Sequence, residues 1–247
     1  MPILNTPTLD TQALPTGQYG YSATRLDALG AAEYTLVTIV TDVSGSVAPF
    51  RKEMEGAIQE IVQACRYSPR ADNLLIRLVL FDDTLQETHG FKLLQECNPK
   101  DYRKVLKAGG STALYDAAEN AVAATTGYGR QLTDADFGVN AILFVLTDGM
   151  DNASTLGVAA VRDRLVEAVT SEALESLVSV LVGVNVQDQT VGGYLQDFKT
   201  EAGFTQYVEI GHANAGTLSK LAEFVSRSIS AQSQALGTGG ASQTLTF

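Results

Sequence analysis

The sequence predicts an α/β protein, a doubly wound and mostly parallel central sheet with helices on both faces and one antiparallel edge strand. Three observations predict it. Apolar runs without polar alternation, such as "YTLVTIV" (34–40) and "LVSVLVGV" (177–184), read as strands buried on both faces, as in a parallel sheet. Segments with apolar residues every three or four positions separate these runs, as crossover helices do. At 247 residues and 45% hydrophobic content, the chain is long enough to bury one full core.

Three regions follow from composition. Residues 1–32 carry Pro2, Pro7 and Pro15 among Thr, Gln and Gly, which suits an extended N-terminal arm that packs along the domain or reaches a neighbour. Residues 33–231 form the domain. Residues 232–247 turn rich in Gly, Ser and Gln before ending in Leu245, Thr246 and Phe247, the pattern of a flexible tail with an apolar end.

Within the domain, the strand at 34–40 leads past Pro49 into a helix with Met54, Ile58, Ile61, Val62 and Cys65 on one face. "NLLIRLVLF" (73–81) is the next strand, and "ETHGFKLL" (87–94) pairs with it through a polar turn as the antiparallel edge strand, where Gly90 is tolerated. A Gly-rich loop, "KAGGST", opens an Ala-rich helix near Ala113. "NAILFVLTDG" is a strand, followed by a helix through Val161, Leu165 and Val169 and by the strand at 177–184. A helix through Tyr194, Leu195 and Phe198, the short strand "TQYVEI" and an amphipathic helix with Leu218, Leu221, Val225 and Ile229 complete the alternation.

Charge and cysteines limit the function classes. The net charge of −11, with no dense run of Lys or Arg, argues against nucleic-acid binding and suits a protein that attracts cations or basic partners. Cys65 and Cys97 lack metal-binding spacing and read as free thiols of a reducing compartment. With no apolar run of membrane-spanning length and no signal-peptide pattern, a cytoplasmic protein without membrane partners is expected.

The first domain strand stops at Asp42, followed by Ser44 and Ser46 at alternate positions. Ligands of doubly wound sheets bind outside the carboxyl ends of the strands, near the point where strand order reverses. Asp42, Ser44 and Ser46 lie at that rim, as does Asp148 of "LTDG", and Gly109 and Gly110 give Thr112 a tight backbone path toward it. Two carboxylates and three hydroxyls form a set of hard oxygen donors without imidazole or thiolate. They suit Mg²⁺ first, with Mn²⁺ or Ca²⁺ as alternatives, and disfavour zinc.

In this order, "DVSGS", the threonine of "GGSTAL" and the aspartate of "TDG" resemble the metal-ion-dependent adhesion site of von Willebrand factor A (VWA) domains. The resemblance spans roughly residues 34–230. It implies that Ser44 and Ser46 ligate the ion directly, Thr112 directly or through water, and that Asp42 and Asp148 ligate or hold coordinated waters. It also implies an open coordination position filled by a Glu or Asp of a partner protein, and a Thr112 loop whose shifts are followed by the helix at 216–230. Without a signal peptide and flanking cysteine pair, the chain is more similar to bacterial cytoplasmic members, such as those of tellurite-resistance clusters or those accompanying AAA+ ATPases. An AAA+ ATPase or an operon-encoded protein is the partner implied.

Other chemistry-bearing residues have plainer readings. Asp82 and Asp83 belong to a loop, and Asp151 and Asn152 to a turn stabilised by their own side chains. His89 and His212, in peripheral elements, are solvated or locally hydrogen-bonded, so no His-centred triad or zinc site is expected. Gly109 and Gly110 lack the Lys of a phosphate-binding loop. The expected function is therefore non-enzymatic, a metal-dependent protein-binding module. One alternative is a metal-dependent phosphohydrolase with Asp42 as nucleophile, but Ser44 stands where its second carboxylate belongs. The other is a structural assembly subunit in which the metal serves stability alone.

Overall fold

Among the residues that the computed structural model describes (4, 6–14, 19–238 and 245–247), eight strands form one sheet. They are β1 (Leu9–Gln12), β2 (Tyr21–Thr24), β3 (Glu33–Asp42), β4 (Leu74–Phe81), β5 (Leu85–Leu93), β6 (Gly138–Thr147), β7 (Ser176–Val184) and β8 (Gln206–Ile210). Their order across the sheet is β1-β2-β5-β4-β3-β6-β7-β8. The pairs among β4, β3, β6, β7 and β8 are parallel, and β5 is antiparallel to β4. This is the expected α/β sheet, with helices on both faces.

The strand order sets the position of the site. From β3 the chain moves outward to β4 and β5, then returns to β3's other side as β6 and continues outward to β7 and β8. The order reverses between β3 and β6, whose carboxyl ends are Asp42 and Thr147. A doubly wound sheet opens its ligand crevice at such a point, because the connections leaving the two strands cross to opposite sides.

The helices are α1 (Arg51–Arg66), α2 (Leu114–Thr133), α3 (Val158–Thr170), α4 (Gln189–Ala202) and α5 (Ala215–Thr238). α1 and α5 cover one face: Met54, Ile58 and Ile61 of α1 and Leu218, Leu221 and Val225 of α5 share a core with Val37, Ile39, Ile76 and Leu78. Fully burying the four expected α5 side chains, Leu218, Leu221, Val225 and Ile229, contributes roughly 6–12 kcal/mol before conformational entropy is subtracted. α2, α3 and α4 cover the other face. Ala117, Ala118, Ala121 and Ala124 make the buried side of α2 small, so it lies close enough for Thr125 Oγ1 to meet Thr38 Oγ1 of β3 at 2.7 Å. On α3 the buried face is Val161, Leu165 and Ala168, while Val169 is exposed, because a step from 165 to 169 overshoots the stripe that Ala168 completes.

The N-terminal arm joins the sheet beyond β5, so β1 rather than β5 forms the margin on that side. β2 pairs parallel to β5 at Ala23 and Phe91. Its docking is polar as well: Ser22 N–H and Oγ–H donate to Glu87 at 3.0 and 2.6 Å, Thr24 Oγ1–H donates to Phe91 O, and Tyr128 O–H donates to Thr24 O. Pro2 and Pro15 lie outside the described residues.

At the other end α5 continues past 231. Gln232 is buried, its Nε2 donating to Ala141 O and Ser176 Oγ, while its carbonyl accepts from Asn140 Nδ2 at 2.6 Å. Residues 239–244 of the tail lie outside the described residues. Beyond them Leu245 O accepts from Gln206 Nε2, and the Phe247 ring meets Phe224 edge-on. Among the described residues no helix is long and apolar enough to cross a membrane, and Cys65 and Cys97 are free and buried.

Candidate metal centre at the switch point

Asp42 ends β3 fully buried, at 1% exposure. Its Oδ1 accepts from Ser44 N–H at 2.8 Å, which turns the chain sharply out of the strand. Its Oδ2 accepts from Thr147 Oγ1–H at 2.7 Å, tying the ends of β3 and β6 together. The following loop places the Ser44 and Ser46 hydroxyls 3.1 Å apart. Ser46 Oγ–H then donates to Asp148 Oδ1 at 2.8 Å. Asp42, Ser44, Ser46 and Asp148 thus form one continuous polar chain across the switch point.

Thr112 arrives by a third loop. Gly109 N–H donates to Val43 O and Gly110 O accepts from Gly45 N–H, so this loop runs beside the Ser44–Ser46 turn. Gly110 has φ +74°, and a Cβ there would stand 2.9 Å from Asp83 Oδ1, so glycine is required on both counts. Thr112 is buried just before α2, and among the described residues no hydrogen bond joins its hydroxyl to the other four residues. Its backbone is fixed by Asn152, whose Oδ1 accepts from Thr112 N–H at 2.8 Å. Thr112 O in turn accepts from the N–H groups of Asn152 and Ala153.

Asp151 behaves as a turn aspartate, accepting from Ser154 N–H, and Asp82 accepts from Thr84 N–H in the same local manner. Asn152 does more than a turn residue: it fastens the Thr112 loop to the Asp148 loop. Ser154 strengthens the junction by accepting from the N–H groups of Tyr115 and Asp116 at the start of α2. Thr147 and Asn152 escaped sequence reasoning. Thr147 directly precedes Asp148 at the end of an otherwise apolar strand, the one signal that could have drawn attention to it; Asn152 gave none, since its partner is forty positions away.

Burial pushes the Asp42 carboxyl up from the ordinary 3.8 to about 6; hydrogen bonds from Ser44 and Thr147 oppose the rise and the nearby Asp148 charge adds to it. Burial also raises Asp148, against the hydrogen bond from Ser46. Neither carboxylate forms an ion pair with the Arg residues that make such pairs among the described residues. Among those residues no group of three or more His, Cys, Asp or Glu could hold a metal. A cation here would therefore draw on the hydroxyls of Ser44, Ser46 and Thr112 as well as the two carboxylates. Buried negative charge without a counter-charge, beside neutral oxygen donors, fits a hard divalent ion.

The class this defines is an α/β protein with a Rossmann-like, VWA-type sheet and an all-oxygen crevice at its switch point. No protein-family model matches the chain, and no curated protein matches it in sequence. Solved structures match its fold. The PilB minor pilin from Streptococcus sanguinis superposes with a TM-score of 0.59 at 16% identity, over 89% of this chain and 66% of that one. Proximal thread matrix protein 1 from the mussel byssus, in a structure with a zinc-occupied metal-ion-dependent adhesion site motif, gives 0.53 at 20% identity, over 79% and 46%. The pilus adhesin SpaC from Lactobacillus rhamnosus GG, in its open conformation, gives 0.55 at 10% identity, over 90% and 33%. The chain spans between about a third and two thirds of the length of these proteins. At such identities the likeness is one of fold.

Proposed function

We propose that this protein is a non-enzymatic, metal-dependent protein-binding module. Asp42, Ser44, Ser46, Thr112 and Asp148 would hold a divalent cation, Mg²⁺ by preference and Mn²⁺ or Ca²⁺ as alternatives. When bound, the ion supplies a Lewis-acidic position that a partner's Glu or Asp can fill, a charge-assisted contact with surface complementarity around it. The partner would be another protein, an AAA+ ATPase or an operon-encoded protein among the classes considered, in the bacterial cytoplasm. The observation that carries the reading is the chain of contacts from Asp42 through Ser44 and Ser46 to Asp148, two buried carboxylates brought together without a positive partner.

The metal-bearing motif of the byssus protein supports a divalent cation at this place in the fold. Zinc occupies that motif, whereas the donors here, lacking thiolate and imidazole, favour a harder ion. The phosphohydrolase alternative is weakened by Asp42 itself. Its oxygens are engaged by Ser44 N–H and Thr147 Oγ1–H and its side chain is buried, whereas a nucleophile needs a free lone pair facing substrate.

The test is titration of the full chain with MnCl₂, MgCl₂, CaCl₂ and ZnCl₂, followed by calorimetry and, for manganese, by electron paramagnetic resonance. One saturable site is expected, lost in Asp42→Ala and Asp148→Ala. Pull-down from extract with MgCl₂ or with EDTA then examines the partner; metal-independent capture would remove the bridging model.

A further inference from the structure

A second feature lies beyond the metal centre, where the N-terminal arm crosses the end of the sheet. A cleft of about 710 Å³ opens between β2, the strands β4 and β5, and α2, with Arg77 of β4 in its lining. This volume lies in the range of small-molecule sites. Arg77 is 1% exposed, in an otherwise acidic protein. Its Nε–H donates to Glu87 Oε1 at 2.7 Å and its Nη2–H to Asn120 Oδ1 at 2.9 Å. Nη1 is buried and has no acceptor among the described residues.

Buried guanidinium nitrogens are rarely left unpaired, since each forfeits its hydration. Bulk water does not reach Nη1, so the acceptor it lacks must come from within the cleft. Glu87 is not spare to supply it, because its carboxylate already accepts from Arg77 Nε and from Ser22 N–H and Oγ–H. The rest of the lining indicates the ligand's body. Val79, Phe81 and Leu85 give apolar wall, Tyr19 and Tyr21 close the arm side, and Lys107 adds an exposed ammonium. Cationic groups at two places around an apolar wall call for one anionic head on an apolar body.

We propose that this cleft binds a small organic carboxylate with an aromatic or aliphatic body, its head accepting from Arg77 and its body lying along Val79, Phe81 and Leu85. The site is separate from the five metal-site residues, although Val43, between Asp42 and Ser44, contributes to its wall.

The experiment uses the full chain, ¹⁵N-labelled and kept in EDTA so that the outcome is independent of metal binding. Benzoate is titrated while amide spectra are recorded, with benzamide as the neutral isostere. Saturable shifts are expected at Lys107, Gly109 and the Asn120 side chain, with benzamide about tenfold weaker for want of the charge. Leu85→Trp, which fills the cleft, should abolish the shifts, and Lys107→Glu at the exposed rim should weaken binding about threefold or more. If Leu85→Trp does not fold, Lys107→Glu decides. The proposal is overturned if benzoate gives no saturable shift, if benzamide binds equally well, or if a folded variant binds benzoate as tightly as the wild type.

Discussion

Asn152 grips Thr112 from both sides of its peptide backbone: Asn152 Oδ1 accepts from Thr112 N–H at 2.8 Å, and Asn152 N–H donates to Thr112 O at 3.0 Å. The side-chain half of this grip ends in Asn152→Ala. Thr112 is buried, so its freed N–H has little access to water, and a loss of about 1–3 kcal/mol in stability is expected. Because Thr112 is a proposed ligand, Mn²⁺ affinity should also fall, by about tenfold or more, as for other residues that orient metal ligands. Urea denaturation and manganese titration measure the two effects. Unchanged affinity in a variant of reduced stability would make Asn152 a structural residue only.

Asp42 links the site to stability. Its folded pKa, about 6, lies above the ordinary 3.8, so the folded protein holds the proton more tightly than the unfolded chain. Stability from this group is complete below about pH 4 and is lost as pH rises through 6. The shift of about two units is a cost of about 3 kcal/mol at pH 7 in metal-free protein. Asp42→Asn removes the charge while keeping much of the shape, so at pH 7 and in EDTA it should raise stability by about 1–3 kcal/mol. Added Mg²⁺ should stabilise the wild type and leave this variant unmoved. Chemical denaturation at pH 4.5 and 7, with and without Mg²⁺, checks both statements.

His89 contributes with the opposite sign. It is fully buried in β5, with Nδ1 against Gly90 O and Nε2 against Tyr102 Oη, each at 2.8 Å. Burial, with Lys92 nearby, drives its pKa from 6.5 down to about 3. The unfolded chain therefore takes up a proton that the folded protein refuses, and stability from this group falls as pH drops from about 6.5 toward 3. His89→Gln, which retains hydrogen-bonding capacity, should lose less stability than the wild type between pH 7 and 4.5. Measuring both in an Asp42→Asn background removes the opposing carboxylate; parallel pH profiles there would contradict the assignment.

What was legible in the sequence was whatever depends on short-range pattern. The unbroken apolar runs of β3, β4, β6 and β7 announced burial on both faces, and the spacing of Met54, Ile58 and Ile61 announced the side of α1 that meets the sheet. Asp42, Ser44, Ser46 and Asp148 were readable because each follows the end of such a run, and the structure joins them by hydrogen bonds. Thr112 is brought beside them through its loop rather than by its hydroxyl. The arm was not readable as strands, since β1 and β2 are four residues each and owe their place to Glu87, a partner sixty-five positions from Ser22. His89 looked peripheral because its strand looked like an edge; once β2 and β1 extend the sheet past β5, the histidine is interior.

The junction between arm and sheet gives the last prediction. Gly90 lies in β5 where β2 passes so closely that a Cβ at this position would stand 1.9 Å from Ser22 O and 2.3 Å from Ser22 Oγ. The obstacle is mainly backbone, which a rotamer change cannot relieve, so Gly90→Ala must move β2. Displacing it pulls Ser22 from Glu87 and Thr24 Oγ1 from Phe91 O, and it leaves the Arg77–Glu87 pair more open to water. A loss of about 1–3 kcal/mol is expected, with most of the effect confined to the arm. Trypsin reports it directly, because Arg25 directly follows β2. Cleavage at Arg25 should quicken in Gly90→Ala while the core resists, and Gly30→Ala, where nothing lies within 4 Å of the added carbon, should cleave as the wild type does. Equal rates in all three proteins would mean that the close approach of β2 to Gly90 does not hold the arm.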